Sequence, residues 1–346
     1  MRSLWLLLLL VVWACGSEPQ QQRPKQAQNL CKYSKLLKIV PTEKGYIVEI
    51  QNPEQPKVQF KFQLKQSFKR IAVLSATHVG MLSAIGQAQR LCAIPDKRYL
   101  HDPQIIKAVK RGQVADLKSE QQLSIEKLLA QRTQALVYSG FGPEQTQIKR
   151  LRSIGLTCIP NYEWRETHPL ARAEWVLLFG VLTGQLDKAQ RYFKQVCQNY
   201  QRIRTQPTLC NTNPFVISGY VYGDQWVAPA ANSFEAKLYA DVDFTYYFNE
   251  SAGTGSCFSS IPSVLTNSAA VVLWLNPGQP TRAALLQQYP KYKYFPFFKK
   301  RIFCYTHNTN FYWECAAVHP DWVLSDLSQI RNGNVKKLHF YKELRP

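Results

Sequence analysis

The chain is short of acid: 23 Asp and Glu stand against 43 Lys and Arg over 346 residues, a formal net charge of +20. Charge of this sign invites phosphate binding. Yet the Lys and Arg residues are spread along the chain, not gathered with stacking aromatics, which argues against a nucleic-acid partner. The signatures of several enzyme classes are missing as well. There is no GxSxG, HExxH, GxxxxGK[ST] or GxGxxG, so no nucleophile elbow, zincin helix, P-loop or dinucleotide fingerprint is written in the text. No cysteine pair forms CxxC and six histidines are scattered singly, so neither structural zinc nor a bare metal-ion site is expected. After residue 13 no apolar run is long enough to cross a bilayer.

What is present begins at the N-terminus. Arg2 precedes an apolar run at 4–13, about half of the ~20 residues a spanning helix needs, and this is the layout of an export signal. Ala14 and Cys15 close a phrase that resembles a lipobox, which implies a signal over 1–15 and a lipid on Cys15. Residues 16–32 open with GSEPQQQRPKQAQN, a Gln- and Pro-rich composition that reads as a flexible tether. The expected location is the periplasm of a Gram-negative cell, anchored to a membrane by lipid. Eight cysteines remain beyond Cys15. Cys92 and Cys158 fall in apolar runs and read as core thiols, whereas Cys197/Cys210 and Cys304/Cys315 are candidate bridges in an oxidising compartment.

From 46 to 64 the text alternates, YIVEI then VQFKFQL, which predicts a β-hairpin extension over 33–68. The rhythm changes at Arg70. RIAVLS (70–75), RLCAI (90–94), ALVYS (135–139) and LTCIP (156–160) are apolar strand runs separated by helical stretches, the mark of a parallel sheet covered on both faces. A first α/β lobe is therefore expected at 69–168. Residues 169–206 read as one helical stretch, with Gly180 and Gly184 as points where it bends. At 1.5 Å per residue, 36 helical residues span about 50 Å, enough for a rigid connector between lobes. A second α/β series occupies 207–346, with FVISGYVYG (215–223), AVVLWLN and RIFCYT as strands, GTGSCF (253–258) as a turn and DWVLSDLSQI as the last helix. The expected fold is α/β: two Rossmann-like lobes with parallel sheets joined by one long rigid helix, with a ligand cleft between them.

RIAVLSATHVGMLSAIG, LSIEKLLAQRTQALVYSG, EWVLLFGVLTGQLDKAQRYF and NFYWECAAVHPDWVLSDL, in this order behind a lipobox, resemble the substrate-binding proteins of ABC importers for iron chelates, haem and cobalamin. The resemblance covers about 69–335. It implies a non-enzymatic, monomeric, lipid-anchored receptor without a cofactor, which captures a metal chelate and passes it to an ABC permease with its ATPase. Cobalamin or another corrinoid and ferric siderophore rank together as ligands, with haem third. It also implies that the connector limits closure to a few degrees. An exported chelatase-like or hydrolytic enzyme on a similar scaffold is the competing reading.

In open α/β sheets ligands bind beyond the carboxyl ends of the strands. The loops there offer Thr77, His78, Arg98, Tyr99, Tyr162, Trp164 and Arg165 from the first lobe. The second offers Tyr222, Trp226, Trp274, His307 and Trp313. Flat Trp and Tyr faces suit a macrocycle or catecholate, Arg98 or Arg165 suits anionic oxygens, and His78 or His307 could serve as an axial ligand to a chelated metal. The family docks on its permease through one exposed Glu per lobe. Glu126 in LSIEKLL matches the first, whereas Pro262 stands where the second is expected, with Glu250 as a possible substitute.

Overall fold

The computed structural model describes residues 28–57, 59–117, 123–141, 146–206, 213–305, 311–335 and 337–345. The chain enters through a three-stranded antiparallel sheet, β1 (Leu37–Thr42), β2 (Gly45–Gln51) and β3 (Gln59–Leu64), in that order. Alternation sends Leu37, Ile39, Val48 and Ile50 into the core. The two strands of the expected hairpin are β2 and β3. The third, β1, is an addition that pairs with β2 from Leu37↔Ile50 to Thr42↔Gly45.

The first lobe is built from β4 (Ile71–Val73), α1 (Ala76–Ala84), β5 (Leu91–Ile94), α2 (Pro103–Lys110), β6 (Ala115–Asp116), α3 (Ile125–Ala130), β7 (Ala135–Ser139), α4 (Thr146–Ser153) and β8 (Thr157–Asn161). Its sheet runs β6-β5-β4-β7-β8, and every described pairing is parallel. Both faces are covered. Ile71 and Val73 join the main core, while Ala72 and Leu74 join a second cluster with Cys92, Leu136 and Cys158. The helix α2 follows the polar stretch 95–102. Asp102 caps it by accepting from Gln104 N at 2.8 Å, and Pro103 fills the first helical position.

The connector is helical from Pro169 to Arg204 but falls into three pieces, α5 (Pro169–Glu174), α6 (Val176–Thr183) and α7 (Leu186–Arg204). Gly184 sits at φ +69°, a left-handed conformation that ends α6 and redirects the chain. All eight residues of α6 are buried, so it is a core helix, whereas the 19 residues of α7 are amphipathic and cover about 28 Å. The bend expected at Gly184 is thus present, and it sets a buried helix against an outer helix packed on it.

The second lobe comprises β9 (Phe215–Ser218), β10 (Tyr220–Tyr222), β11 (Gln225–Pro229), α8 (Phe234–Ala240), β12 (Thr245–Tyr246), β13 (Ser256–Ser260), α9 (Ile261–Asn267), β14 (Leu273–Leu275), α10 (Arg282–Gln288), β15 (Arg301–Cys304), α11 (Tyr312–Cys315), α12 (Pro320–Arg331) and β16 (Lys342–Glu343). Its main sheet is β12-β9-β14-β15-β16, parallel except for the antiparallel edge β16. The stretch expected as one strand at 215–223 divides at Gly219, where φ is +95° and a Cβ would stand 2.0 Å from the Val227 carbonyl oxygen. The chain after it leaves for a second, antiparallel sheet, β10-β11-β13. The Gly/Ser stretch read as a turn supplies most of β13.

Cys92 and Cys158 are buried free thiols. Cys304 and Cys315 are also free, which corrects the bridge expected between them; Cys197 is free, and its expected partner Cys210 lies outside the described residues.

Candidate functional site

The carboxyl ends of the parallel strands are where an open α/β sheet offers a ligand site. On the second lobe this edge holds a cavity of about 750 Å³, within the range of small-molecule sites. Ser218 ends β9 and Gly219 follows it, Asn276 follows β14, Tyr305 follows β15, and Glu235 enters from the first turn of α8. Tyr220, Tyr222 and Trp313 complete its aromatic lining. Asn276 takes a left-handed φ of +53°, and its amide nitrogen donates to the hydroxyls of Tyr239 at 3.3 Å and Tyr341 at 3.2 Å. These two contacts hold the side chain in place.

At the junction of the lobes lies a buried charge cluster. The Arg172 guanidinium pairs with the carboxylate of Glu163 and lies 4.4 Å from the Phe234 ring centroid. Glu235 accepts a hydrogen bond from the Tyr305 hydroxyl at 3.3 Å. Burial pushes the Glu235 carboxyl above its ordinary pKa, with Arg172 and the Tyr305 hydroxyl pulling the other way. The Tyr305 ring stacks on Tyr312, centroids 3.3 Å apart, and meets Trp313 edge-on at 6.1 Å.

The short helix α11 belongs to the second lobe yet rests on the first. A Cβ on Gly80 of α1 would stand 1.6 Å from the Glu314 carbonyl oxygen, so only glycine fits under it. The Glu314 carboxylate accepts from His101 N at 2.7 Å and Asp102 N at 3.4 Å. A second cavity of about 680 Å³ opens beside this contact, lined by Ser83, Gln104, Phe311, Glu314 and His319 among others.

The first-lobe wall is set by loops after β5, β7 and β8. Arg98 donates to Asp96 from Nε, at 3.1 and 2.8 Å from its two oxygens, and from Nη2 at 2.6 Å, with most of its side chain in solvent beside the exposed Tyr99. Phe141 packs on Trp164, and the Arg165 guanidinium lies 5.2 Å from the Trp164 centroid. A Cβ on Gly255 would stand 3.7 Å from Arg165 Nη1, so this arginine reaches the second lobe at the rim of the cleft.

Of the residues expected from the sequence, Tyr222 and Trp313 line the cavity, while Arg165 faces the rim. Arg98, Tyr99 and Trp164 lie on the first-lobe loops. Several others are placed differently. Trp226 and Trp274 are fully buried, their ring nitrogens donating to the carbonyls of Ser218 and Gly219 at 3.0 and 2.8 Å. Both point inward from the middle of β11 and β14, into a cluster with Tyr292, Phe295 and Phe297. His78 is inside α1, buried against Phe179, and donates to the Val137 carbonyl; desolvation lowers its pKa to about 4, so it is a neutral core residue. Tyr162 is buried with its ring against Gly140. Thr77 is also buried, its hydroxyl 2.9 Å from that of Ser75, which caps α1. His307 and Cys15 lie outside the described residues.

Glu235, Tyr220 and Tyr305 line the cavity and are not singled out in the sequence. A signal for Glu235 exists in Ser233, whose hydroxyl accepts from Ala236 N and so starts a helix with Glu235 in its first turn. Among the described residues no group of His, Cys, Asp and Glu could hold a metal ion, and no helix is long and apolar enough to cross a membrane.

No family model matches the chain. Two uncharacterized lipoproteins of Methanocaldococcus jannaschii are similar to it. One is 26% identical across 79% of this chain and 68% of its own length, the other 20% identical across 94% and 90%. Among solved structures, a periplasmic heme binding protein from Pseudomonas aeruginosa superposes with a TM-score of 0.58 at 17% identity, covering 80% of this chain and 98% of that one. The periplasmic vitamin B12 binding protein BtuF of Vibrio cholerae gives 0.55 at 13%, covering 78% and 98%. These structures carry the fold that the sequence resemblance implied, two α/β lobes of the periplasmic binding type.

Proposed function

We propose that the chain is the substrate-binding component of an ABC importer, held at the outer face of a membrane by lipid on Cys15, and that it captures a metal chelate in the cleft. The observation that carries this reading is the cavity of about 750 Å³ at the carboxyl ends of β9, β14 and β15, lined by Tyr220, Tyr222, Tyr305 and Trp313 and faced across the rim by Arg165. Aromatic faces around a mostly apolar hollow suit a large ring ligand. The lipoprotein names of the curated relatives and the heme and B12 titles of the solved structures fit the same role. Those relatives are archaeal and those structures bacterial, so the reading takes the extracytoplasmic side of a membrane and leaves the Gram-negative periplasm as the narrower expectation. As a binding module it needs no catalytic constellation, which sets it apart from the exported-enzyme alternative.

Docking on the permease is assigned to Glu126, exposed in the first turn of α3 beside Ser124. The second-lobe counterpart is α9, whose exposed residues include Pro262, Ser263 and Leu265 and no charge. Glu250 is exposed before β13, away from that helix. The contact is therefore proposed to be charged on one lobe and uncharged on the other.

The test is a titration of lipid-free protein with cyanocobalamin, haemin and a ferric siderophore, read by tryptophan quenching and chelate absorption. Saturable binding of any one is expected. Silence with all three would overturn the chelate reading.

A further inference from the structure

The protein carries a formal charge of +20, yet among the described residues the lining of the second-lobe cavity includes no Lys, Arg or His and a single acid, Glu235. We infer that the cavity selects a ligand without net negative charge, which places an N–H or O–H donor on the Glu235 carboxylate beside the Tyr305 and Trp313 rings. The inference rests on the cavity being the ligand site proposed above.

The charge count behind the cavity carries it. Arg172, from α5, is already paired with Glu163 from the loop after β8. Two carboxylates thus share one guanidinium, and the cluster is one negative charge in excess when Glu235 is ionised. Among the described residues the remaining titratable groups that face Glu235 are the hydroxyls of Tyr239, Tyr246, Tyr305, Tyr312 and Tyr341. None supplies a cation. The one hydrogen bond described at the carboxylate is that from Tyr305, at 3.3 Å. A ligand donor would complete its coordination with a charge-assisted bond, whereas an anion would meet like charge in a desolvated place.

The cations near the cleft lie elsewhere. Arg165 sits on Trp164 at the rim, and Arg98, on the loop after β5, is matched by Asp96. They can draw a chelate toward the opening, but the hollow itself reads for an uncharged or positive face.

Three chelates of graded charge test this on the lipid-free protein: cyanocobalamin, uncharged with amide donors; haemin, with two carboxylates; and a ferric tris-catecholate, with three negative charges. Cyanocobalamin is expected to bind at least about 10-fold more tightly than either anion, and Glu235→Gln to lose about 10-fold of that affinity. Because donor binding favours the ionised carboxylate, affinity should rise from about pH 5 to about pH 8 in the parent and stay flat in the variant. Haemin or the tris-catecholate bound as tightly as cyanocobalamin, or affinity that falls with rising pH in the parent alone, would overturn the charge selection while leaving a chelate receptor standing. No binding by any probe would remove the chelate reading and this inference with it.

Discussion

The two lobes share one strand–helix rhythm and turn different surfaces to the cleft. In the first, the loops after the strands are stiffened by charge: Asp96 with Arg98, and Glu163 with Arg172. In the second, the chain leaves the parallel sheet at Gly219, builds an extra antiparallel sheet, and surrounds the hollow between the two with aromatic side chains. The same edge of an α/β sheet thus carries salt-bridged loops in one lobe and a receptacle in the other. The difference traces to the residues just past the first strand of each lobe. After β4 a serine-capped helix begins at once, whereas after β9 a glycine lets the backbone approach the Val227 carbonyl.

If the second lobe is shaped by its aromatic core, removing the centre of that core should be the most damaging change. Trp226 packs with Trp274, Tyr292, Phe295 and Phe297 and is fully buried. Trp226→Ala is expected to cost about 3–5 kcal/mol by urea unfolding. A cost near zero would mean that the hollow does not depend on this cluster, and the contrast between the lobes would lose its cause.

The first lobe should answer to acid instead. Folded His78 stays neutral down to about pH 4 because burial disfavours its charge, while the unfolded chain takes up the proton near 6.5. Its contribution is complete above pH 6.5 and is lost as pH falls toward 4, a span worth about 3 kcal/mol. Stability measured by denaturant at stepped pH should fall across that window, and His78→Leu should flatten the fall. An unchanged slope would place the acid sensitivity outside the first lobe.

Much of this fold is legible in the text because fully buried strands announce themselves as apolar runs: RIAVLS, ALVYS and RIFCYT each contain the strand expected of them. Where burial is one-sided or the element is short, legibility ends. The strand β1 is interrupted by Lys38 and Pro41, and α2 is announced only by its Asp102 cap and Pro103. The site is less legible, for a geometric reason. Trp226 and Trp274 are as aromatic as Trp313, but they sit mid-strand on inward positions, and the pleat decides which way each points. Glu235 lies 70 residues from Tyr305 in sequence, so their meeting at the cavity is a property of topology alone.

Gly80 lies where the two lobes touch, and its replacement by alanine sharpens the comparison from the side of motion. The new Cβ would stand 1.6 Å from the Glu314 carbonyl oxygen, closer than backbone atoms tolerate, so α1 and α11 must move apart. Overpacking of this kind costs about 1–3 kcal/mol. The Glu314 bonds to His101 and Asp102 would stretch with it. A more open cleft in solution scattering is expected, with chelate affinity reduced. Unaltered scattering and affinity would show that α11 travels with the first lobe and that the cleft closes elsewhere.

The smallest expected effect on stability separates docking from folding. Glu126 is exposed on α3, its carboxylate 3.1 Å from the Ser124 hydroxyl, so Glu126→Arg should change unfolding free energy by less than about 0.5 kcal/mol. Chelate affinity should also stay unchanged, because α3 contributes nothing to the lining of the cavity. Uptake through the permease is where the loss should appear, since reversal of one charge turns attraction into repulsion at a contact. Pro262→Glu on α9 makes the complementary change, adding to the second lobe the acid it lacks. If the uncharged α9 surface is matched to its permease, Pro262→Glu lowers uptake; if it raises uptake, the two lobes dock by the same chemistry and the asymmetry drawn between them is confined to the cleft.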